Sequence, residues 1–362
     1  MLHGGDIYRN RVSIDFSVNI NPLGIPASVE DALRKAIDHC GQYPDILAER
    51  LGEAVSDRMG ISREYLLFGN GASELFLAIV RAVNPGKTVI PVPSFFGYER
   101  AAQSFPGEIF FYGMKERAGY SLDEGIMDYL TEGSLLFLAN PNNPVGNLLE
   151  NTFLERLAKY CRQKQSLMVI DECFLEFTAE EGQRSFKSRL EDYPNVIVVR
   201  AFTKSFAMPG VRLGYLACGD QELKRRIEGQ LPEWNLSVFA QAAGLAACGE
   251  KEYMEKTLRL VEAERKYLMR EFVGLGIHVY PSEADYLLLE TDLPLYEALL
   301  DMGILIRDCS NFRGLRKGYY RIAVKQHTEN EILVNAITEI KEKYHATDDR
   351  ICTPGGDRKA KL

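Results

Sequence analysis

Val196-Ile197-Val198-Val199-Arg200-Ala201-Phe202-Thr203-Lys204-Ser205-Phe206-Ala207-Met208-Pro209-Gly210-Val211-Arg212-Leu213-Gly214-Tyr215 is the stretch from which the rest of the chain can be read. Its first four residues are apolar and β-branched, which predicts a buried strand. Lys204 follows in what reads as a loop, with Arg212 eight positions beyond it. An amine can condense with an aldehyde to an imine, and the forked donors of a guanidinium suit a phosphate. A loop lysine is ordinarily just solvated, so the neighbouring segments have to decide the matter.

Working outward, earlier apolar runs read as further strands: Thr88 to Val92, Leu135 to Ala139 and Leu167 to Ile170. Their length and β-branching suit parallel strands covered on both faces, and helix-like stretches such as Leu154 to Arg162 lie between them. The fold class is α/β, a large domain around a mostly parallel sheet. After Gln241 a helix-prone stretch, Ala242 to Phe272, leads into Ile277 to Tyr280, Tyr286 to Leu289, Ile304 to Ile306 and Tyr320 to Val324, which read as a smaller α+β C-terminal domain. The expected organisation is an N-terminal arm over 1–25, a large domain over 26–240, a small domain over 241–345 and a mobile tail over 346–362. In that tail, large apolar residues give way to charge, glycine and proline.

A chain of 362 residues with 46% apolar content can bury a sizeable core. Its formal net charge of -8 weakens any general case for nucleic acid or anionic membrane, which demand basic patches, although local basic sites for small anions stay open. The start, Met1-Leu2-His3-Gly4-Gly5-Asp6, lacks the features of a signal peptide and no run approaches the length of a bilayer span, so a cytoplasmic location is expected. The seven cysteines are scattered and form no Cys-x-x-Cys pair, which argues against both a disulfide framework and a metal site. They read mostly as small buried apolar residues.

Three further segments carry chemistry. In Val169-Ile170-Asp171-Glu172-Cys173-Phe174 a carboxylate ends an apolar strand, where it faces the crevice of an open α/β sheet; a helix N-cap or metal ligand are the other readings. Ala139-Asn140-Pro141-Asn142-Asn143-Pro144-Val145-Gly146-Asn147 is a turn-rich stretch after another strand, able to present an amide donor. Gly69-Asn70-Gly71-Ala72-Ser73-Glu74 resembles a glycine-rich turn opening a helix, whose free N–H groups suit a phosphate. It lacks the third glycine and the clear preceding strand of a dinucleotide fingerprint. No nucleophile elbow, Walker loop or zinc-protease motif appears.

Taken together and in this order, the four segments resemble the aspartate-aminotransferase superfamily, the fold-type-I pyridoxal-phosphate enzymes, over about His3 to Lys341. The resemblance implies pyridoxal 5'-phosphate as cofactor, Lys204 as its Schiff-base lysine and Asp171 as the partner of the pyridine nitrogen. Asn143 would meet the phenolic oxygen, while Ala72, Ser73, Thr203 and Arg212 would hold the phosphate. Phe95, in Pro93-Ser94-Phe95-Phe96-Gly97-Tyr98, would stack on the ring. Tyr43 matches a tyrosine that reaches the phosphate of the neighbouring subunit, which implies a homodimer.

Arg321 matches the arginine that grips a substrate carboxylate, and Arg307 one found where the substrate is phosphorylated. Two branches compete: histidinol-phosphate aminotransferase and the threonine-phosphate decarboxylase of cobalamin biosynthesis. The second fits better, through His3-Gly4-Gly5, Asp15-Phe16-Ser17-Val18-Asn19-Ile20-Asn21-Pro22-Leu23-Gly24, Pro232-Glu233-Trp234-Asn235-Leu236-Ser237 and Cys309-Ser310-Asn311-Phe312-Arg313-Gly314-Leu315. These add His3, Asn19, Asn21 and Asn235 to the expected substrate contacts. Phe174 departs from the pattern: many aminotransferases carry a tyrosine there whose hydroxyl also donates to the phenolic oxygen. The expectation is decarboxylation of O-phosphothreonine or a close phosphoamino acid, with transamination, or a cofactor-bearing regulator without turnover, as the competing readings.

Overall fold

The computed structural model describes residues 4–179 and 181–351, with side chains as far as Tyr344. Seven strands form the main sheet in the spatial order Leu66–Gly69, Gly214–Cys218, Val196–Ala201, Leu167–Asp171, Leu135–Ala139, Lys87–Val92 and Glu108–Gly113. All neighbours run parallel except around Gly214–Cys218, which is antiparallel to both of its partners. Four of the strands are those expected from apolar runs. Leu66–Gly69 was not expected, and it directly precedes the glycine turn that seemed to lack a strand. Four residues rich in leucine carry no β-branched signal of their own; cross-strand pairing to Gly214–Cys218 makes them a strand.

Both faces of this sheet are dry, which explains the unbroken apolar runs. Successive residues alternate between two clusters. Leu136 and Leu138 join Met168, Ile170, Val196 and Val198 under the helices Glu49–Met59, Asn151–Gln163 and Val238–Cys248. Leu135 and Phe137 join Val169, Ile197 and Val199 under Ala72–Val83, Phe96–Ala102 and Gln221–Glu228. Each buried aliphatic side chain contributes about 1.5–3 kcal/mol, and the three-layer stack follows from needing a helix over each apolar face.

The helix-prone stretch after Gln241 divides at Gly249 into the end of Val238–Cys248 and the long helix Lys251–Gly274. Beyond it lies an antiparallel sheet in the order Arg307–Asp308, Tyr319–Ala323, Tyr286–Glu290 and His278–Val279. Its apolar cluster includes Leu268, Leu287, Ile322 and Ile337, and takes in Phe16 from the N-terminal segment. Ile14–Asp15 pairs in parallel with Ile304–Leu305, which fixes that segment beside the small sheet. The last helix runs from His327 to Ile351, into the stretch expected as a tail from residue 346; residues 352–362 lie outside the described residues. Among the described residues no helix is long and apolar enough to cross a membrane. Cys161, Cys173, Cys218 and Cys309 are buried, Cys248 is half-buried and Cys40 is exposed.

Candidate active site

Three adjacent parallel strands end together, and their register delivers the chemistry. Ala139 lies opposite Asp171, and Asp171 opposite Val199. The segments that follow therefore leave the sheet side by side and bring Asn143, Asp171 and Lys204 to its C-terminal edge, where open α/β sheets form their crevice. A cavity of about 200 Å³ opens there. Its walls include those three residues with Ala72, Ser73, Phe95, Thr203 and Arg212 from the large unit, Arg307 and Arg321 from the small one, and Asn19 from the N-terminal segment.

Lys204 lies on a single helical turn, Phe202–Ser205, rather than in a loop. Four residues are too few for a helical period to show in a sequence. Phe202 and Phe206, stacked at 5.5 Å, pin the turn to the core. Asn21 holds it from the other side, its backbone N–H donating to the Lys204 carbonyl at 3.1 Å and its side-chain amide to the Ser205 carbonyl at 2.7 Å. Asn21 thus sits behind the lysine and not on the cavity wall. Burial lowers the pKa of Lys204, aided by the positive charge of Arg321, which favours the nucleophilic amine.

Asp171 is buried and accepts hydrogen bonds from the Tyr98 hydroxyl at 2.6 Å and the Cys173 backbone N–H at 3.0 Å. Burial nevertheless raises its pKa, so a cation placed against it is what would hold it ionised. Tyr98, quoted above without a role, supports this carboxylate directly. Phe95 meets Tyr98 edge-on at 5.6 Å, and Gly97 is required beside it because a Cβ there would run into the Phe95 ring.

The anion side is built on the helix Ala72–Val83, which starts at Gly71 with φ +80°. A Cβ on Gly71 would stand 2.6 Å from Arg212 Nη2, so glycine lets the guanidinium lie against the turn. Arg212 donates to the carbonyls of Pro209 at 3.0 Å and Asn70 at 3.2 Å. With the N–H groups of the helix start and with Thr203, it offers a set of donors that suits a phosphate. Asn235 braces this turn from behind: its Nδ2 donates to Glu74 at 2.9 Å, and its Oδ1 accepts from Asn70 Nδ2 at 2.7 Å. It borders a separate cavity of about 700 Å³, larger but not lined by Lys204, Asp171, Arg307 or Arg321. Tyr43 also stands apart from the smaller cavity, 80% exposed and packed on Trp234 at 4.8 Å. His3 lies outside the described residues.

Arg307 and Arg321 are directly opposite each other on neighbouring antiparallel strands, so both guanidiniums come to one face. They are 6% and 7% exposed. Arg321 donates to Asn143 Oδ1 at 2.5 Å and to the Ser17 carbonyl at 3.0 Å, while its Nε has no partner among the described residues. Because Arg321 takes the carbonyl end of Asn143, the amide end is the one left as donor to the cavity. Arg307 reaches Asn311 Oδ1 at 2.9 Å and lies 5.1 Å from the centre of the Phe312 ring; burial lowers its pKa. Asn19 is buried with both side-chain polar atoms unpartnered among the described residues. Phe174 packs edge-on against Tyr286 at 5.0 Å and offers no hydroxyl.

These residues fit pyridoxal 5'-phosphate. The chain offers an amine for its aldehyde, a carboxylate for its pyridine nitrogen, an amide donor for its phenolic oxygen, an aromatic ring to stack on and a helix start with an arginine for its phosphate.

Comparison with known proteins agrees with this geometry. A family model described as "Aminotransferase class I and II" matches residues 11–337. The chain is 34% identical to the threonine-phosphate decarboxylase of Salmonella typhimurium, over 90% of this chain and 91% of that protein. It is 32% identical to a histidinol-phosphate aminotransferase of Symbiobacterium thermophilum, over 90% of this chain and 89% of the relative. The crystal structure of the histidinol-phosphate aminotransferase from Clostridium acetobutylicum superposes with a TM-score of 0.85 at 31% identity, covering 91% of this chain and 99% of that one. The protein belongs to the class I and II aminotransferases, pyridoxal-phosphate enzymes of fold type I.

Proposed function

We propose that this chain decarboxylates O-phosphothreonine, or a close phosphoamino acid, to the corresponding phosphoamino alcohol, the cobalamin-biosynthesis type of reaction. The observation that carries this reading is the pair of buried arginines in direct register. Like charges placed opposite one another repel, and burial raises the cost. A ligand with two anionic groups relieves both guanidiniums at once. A phosphoamino acid brings a carboxylate for Arg321 and a phosphate for Arg307, with the Asn19 amide beside them. Histidinol phosphate has no carboxylate to offer, whereas the glutamate of the competing transamination has two, so the products decide between the reactions.

Pyridoxal 5'-phosphate, when bound, supplies an electron sink for a bond at the substrate α-carbon. The residues of the chain decide which bond that is. Two anchors fix the rotation of the substrate about its α-carbon, so the carboxylate bond can be held perpendicular to the ring plane. Asp171, supported by Tyr98, would hold a proton on the pyridine nitrogen, and Lys204 would carry the proton at the α-carbon. Phe95, Phe174 and Phe312 give the cavity an apolar lining.

The same reading carries a homodimer, supported by the exposed apolar residues Tyr43, Ile46 and Leu47 beside the larger cavity, and a cytoplasmic setting, supported by the free cysteines. The deciding experiment is incubation of the purified protein with phosphothreonine, and with histidinol phosphate plus 2-oxoglutarate, followed by mass analysis of both products. Carbon dioxide and a phosphoamino alcohol are expected, with unphosphorylated threonine a poor substrate. Stoichiometric glutamate without carbon dioxide would replace the reading by transamination.

A further inference from the structure

Residues 309–318 connect the strand Arg307–Asp308 to Tyr319–Ala323 and cross from the small unit onto the large one. The loop opens on a turn of its own. Asp308 accepts from the Ser310 backbone N–H at 2.8 Å and from the Ser310 hydroxyl at 3.0 Å, and the Phe312 N–H donates to the Cys309 carbonyl at 3.0 Å. That turn folds back onto Arg307. Its guanidinium donates to the Asp308 carbonyl and, at 2.9 Å, to Asn311 Oδ1, and its Cζ lies 5.1 Å from the centre of the Phe312 ring. Phe312 is 4% exposed and shares the cavity wall with Arg307. A guanidinium set over an aromatic ring and hydrogen-bonded at its edge is held in one orientation.

The same loop is fastened to the large unit along its length. Phe312 meets Phe96 at 4.9 Å. Arg313 Nε and Nη2 donate to the two carboxylate oxygens of Glu99 at 2.9 and 2.7 Å, with the guanidinium 4.1 Å from the centre of the Phe111 ring. Gly314 lies against Pro93, and Arg316 donates to Glu116 at 2.9 Å and, back on the small unit, to Glu290 at 2.5 Å. Phe96 and Glu99 belong to the helix Phe96–Ala102, which follows directly on Phe95 and carries the Tyr98 that supports Asp171.

With side chains 51% and 15% exposed, the Arg313–Glu99 pair adds little to stability. Its contribution is geometric, because a two-bond fork fixes distance and angle together. The two substrate arginines differ in this respect. Arg321 reaches the large unit directly, through Asn143 at 2.5 Å, while Arg307 is tied to it through the loop.

We infer that the loop 309–318 sets the preference for a phosphorylated substrate: Asn311 and Phe312 hold Arg307, and the Arg313–Glu99 fork holds the loop to the helix beside the cofactor wall. Glu99 and Arg313 are thereby positioning residues for the substrate phosphate, although neither lines the cavity. The inference rests on the reading of Arg307 as the phosphate anchor. Two anchors orient the α-carbon only while their separation from the reacting groups is constant, and the fork ties Arg307 to the unit that carries Lys204 and Asp171. A substrate without a phosphate makes no use of Arg307 and is blind to the loop.

The test mixes the loaded enzyme rapidly with phosphothreonine, with threonine titrated to saturation, or with histidinol phosphate, and reads dissociation constants from the first change in cofactor absorbance. Glu99→Gln and Arg313→Met should each weaken phosphothreonine by roughly three- to tenfold and threonine by less than about twofold. The double variant should be no weaker than either alone, because a single contact is lost in all three. Phe312→Leu, which removes the ring beneath Arg307, should cost phosphothreonine roughly tenfold. Weakening of phosphothreonine and threonine alike, or of neither, overturns the inference. A selective loss seen with histidinol phosphate and not with phosphothreonine would sink the decarboxylase reading alone, and carbon dioxide release without any selective loss would sink the role of the loop alone.

Discussion

Replacing Arg200 by Met tests whether a buried ion pair ties the two halves of the catalytic edge together. Arg200 lies four residues before Lys204, and Glu172 directly follows Asp171. The two are 2% and 1% exposed and meet through Nε at 3.0 Å and Nη2 at 2.7 Å, with Nη2 also 2.5 Å from Glu181. Removing one partner of a buried pair costs about 3–5 kcal/mol, chiefly because the other charge is left uncompensated. Here Glu172 keeps two donors, Ser185 Oγ at 2.7 Å and the Phe186 N–H at 2.8 Å. We therefore expect the lower end, about 3 kcal/mol.

Equilibrium urea denaturation of the cofactor-free chain reads this without the stabilisation that ligand binding adds. The double variant Arg200→Met with Glu172→Gln should lose less than the two single changes summed, by about 1 kcal/mol or more, because the uncompensated charge is gone. An Arg200→Met chain within about 0.5 kcal/mol of the parent would refute the reasoning, since that is what an ordinary surface change produces.

Arg321→Lys keeps the charge and loses the fork that reaches Asn143 and Ser17, so KM for the phosphoamino acid should rise roughly tenfold or more; steady-state kinetics with KM unchanged would remove Arg321 from carboxylate binding. Borohydride reduction of the loaded protein should attach the cofactor to the Lys204 peptide, and Lys204→Ala should abolish the attachment. Cofactor found by peptide mapping on another lysine would overturn the assignment.

The chemistry of the large unit was legible before any coordinates because each functional residue there sits at a fixed short distance from a strand. Asn143, Asp171 and Lys204 each follow an apolar run by a few positions, and a parallel sheet necessarily lines up the ends of its strands. Three strands of the main sheet escaped. Leu66–Gly69 is short, Gly214–Cys218 opens with glycine, and Glu108–Gly113 lies at the sheet edge; each is defined by its pairing, the first with Gly214–Cys218, the second also with Val196–Ala201, the third with Lys87–Val92. The turn that carries Lys204 escaped because four residues have no period to detect.

What the sequence by itself determined was the α/β layering, the set of residues able to hold pyridoxal phosphate and the presence of two arginines for anions. These depend on short-range pattern, and the buried faces enforce it. Only the tertiary structure decided which polar residues stand in front of the cavity and which stand behind it. Asn21 and Asn235, alike in type to Asn19, brace the Lys204 turn and the phosphate turn, and Asn21 does so across 184 residues of chain. The Arg321–Asn143 bond spans 178 residues. An amide or a carboxylate reads the same in a sequence wherever it points; its role is set by the burial and partners that folding assigns to it.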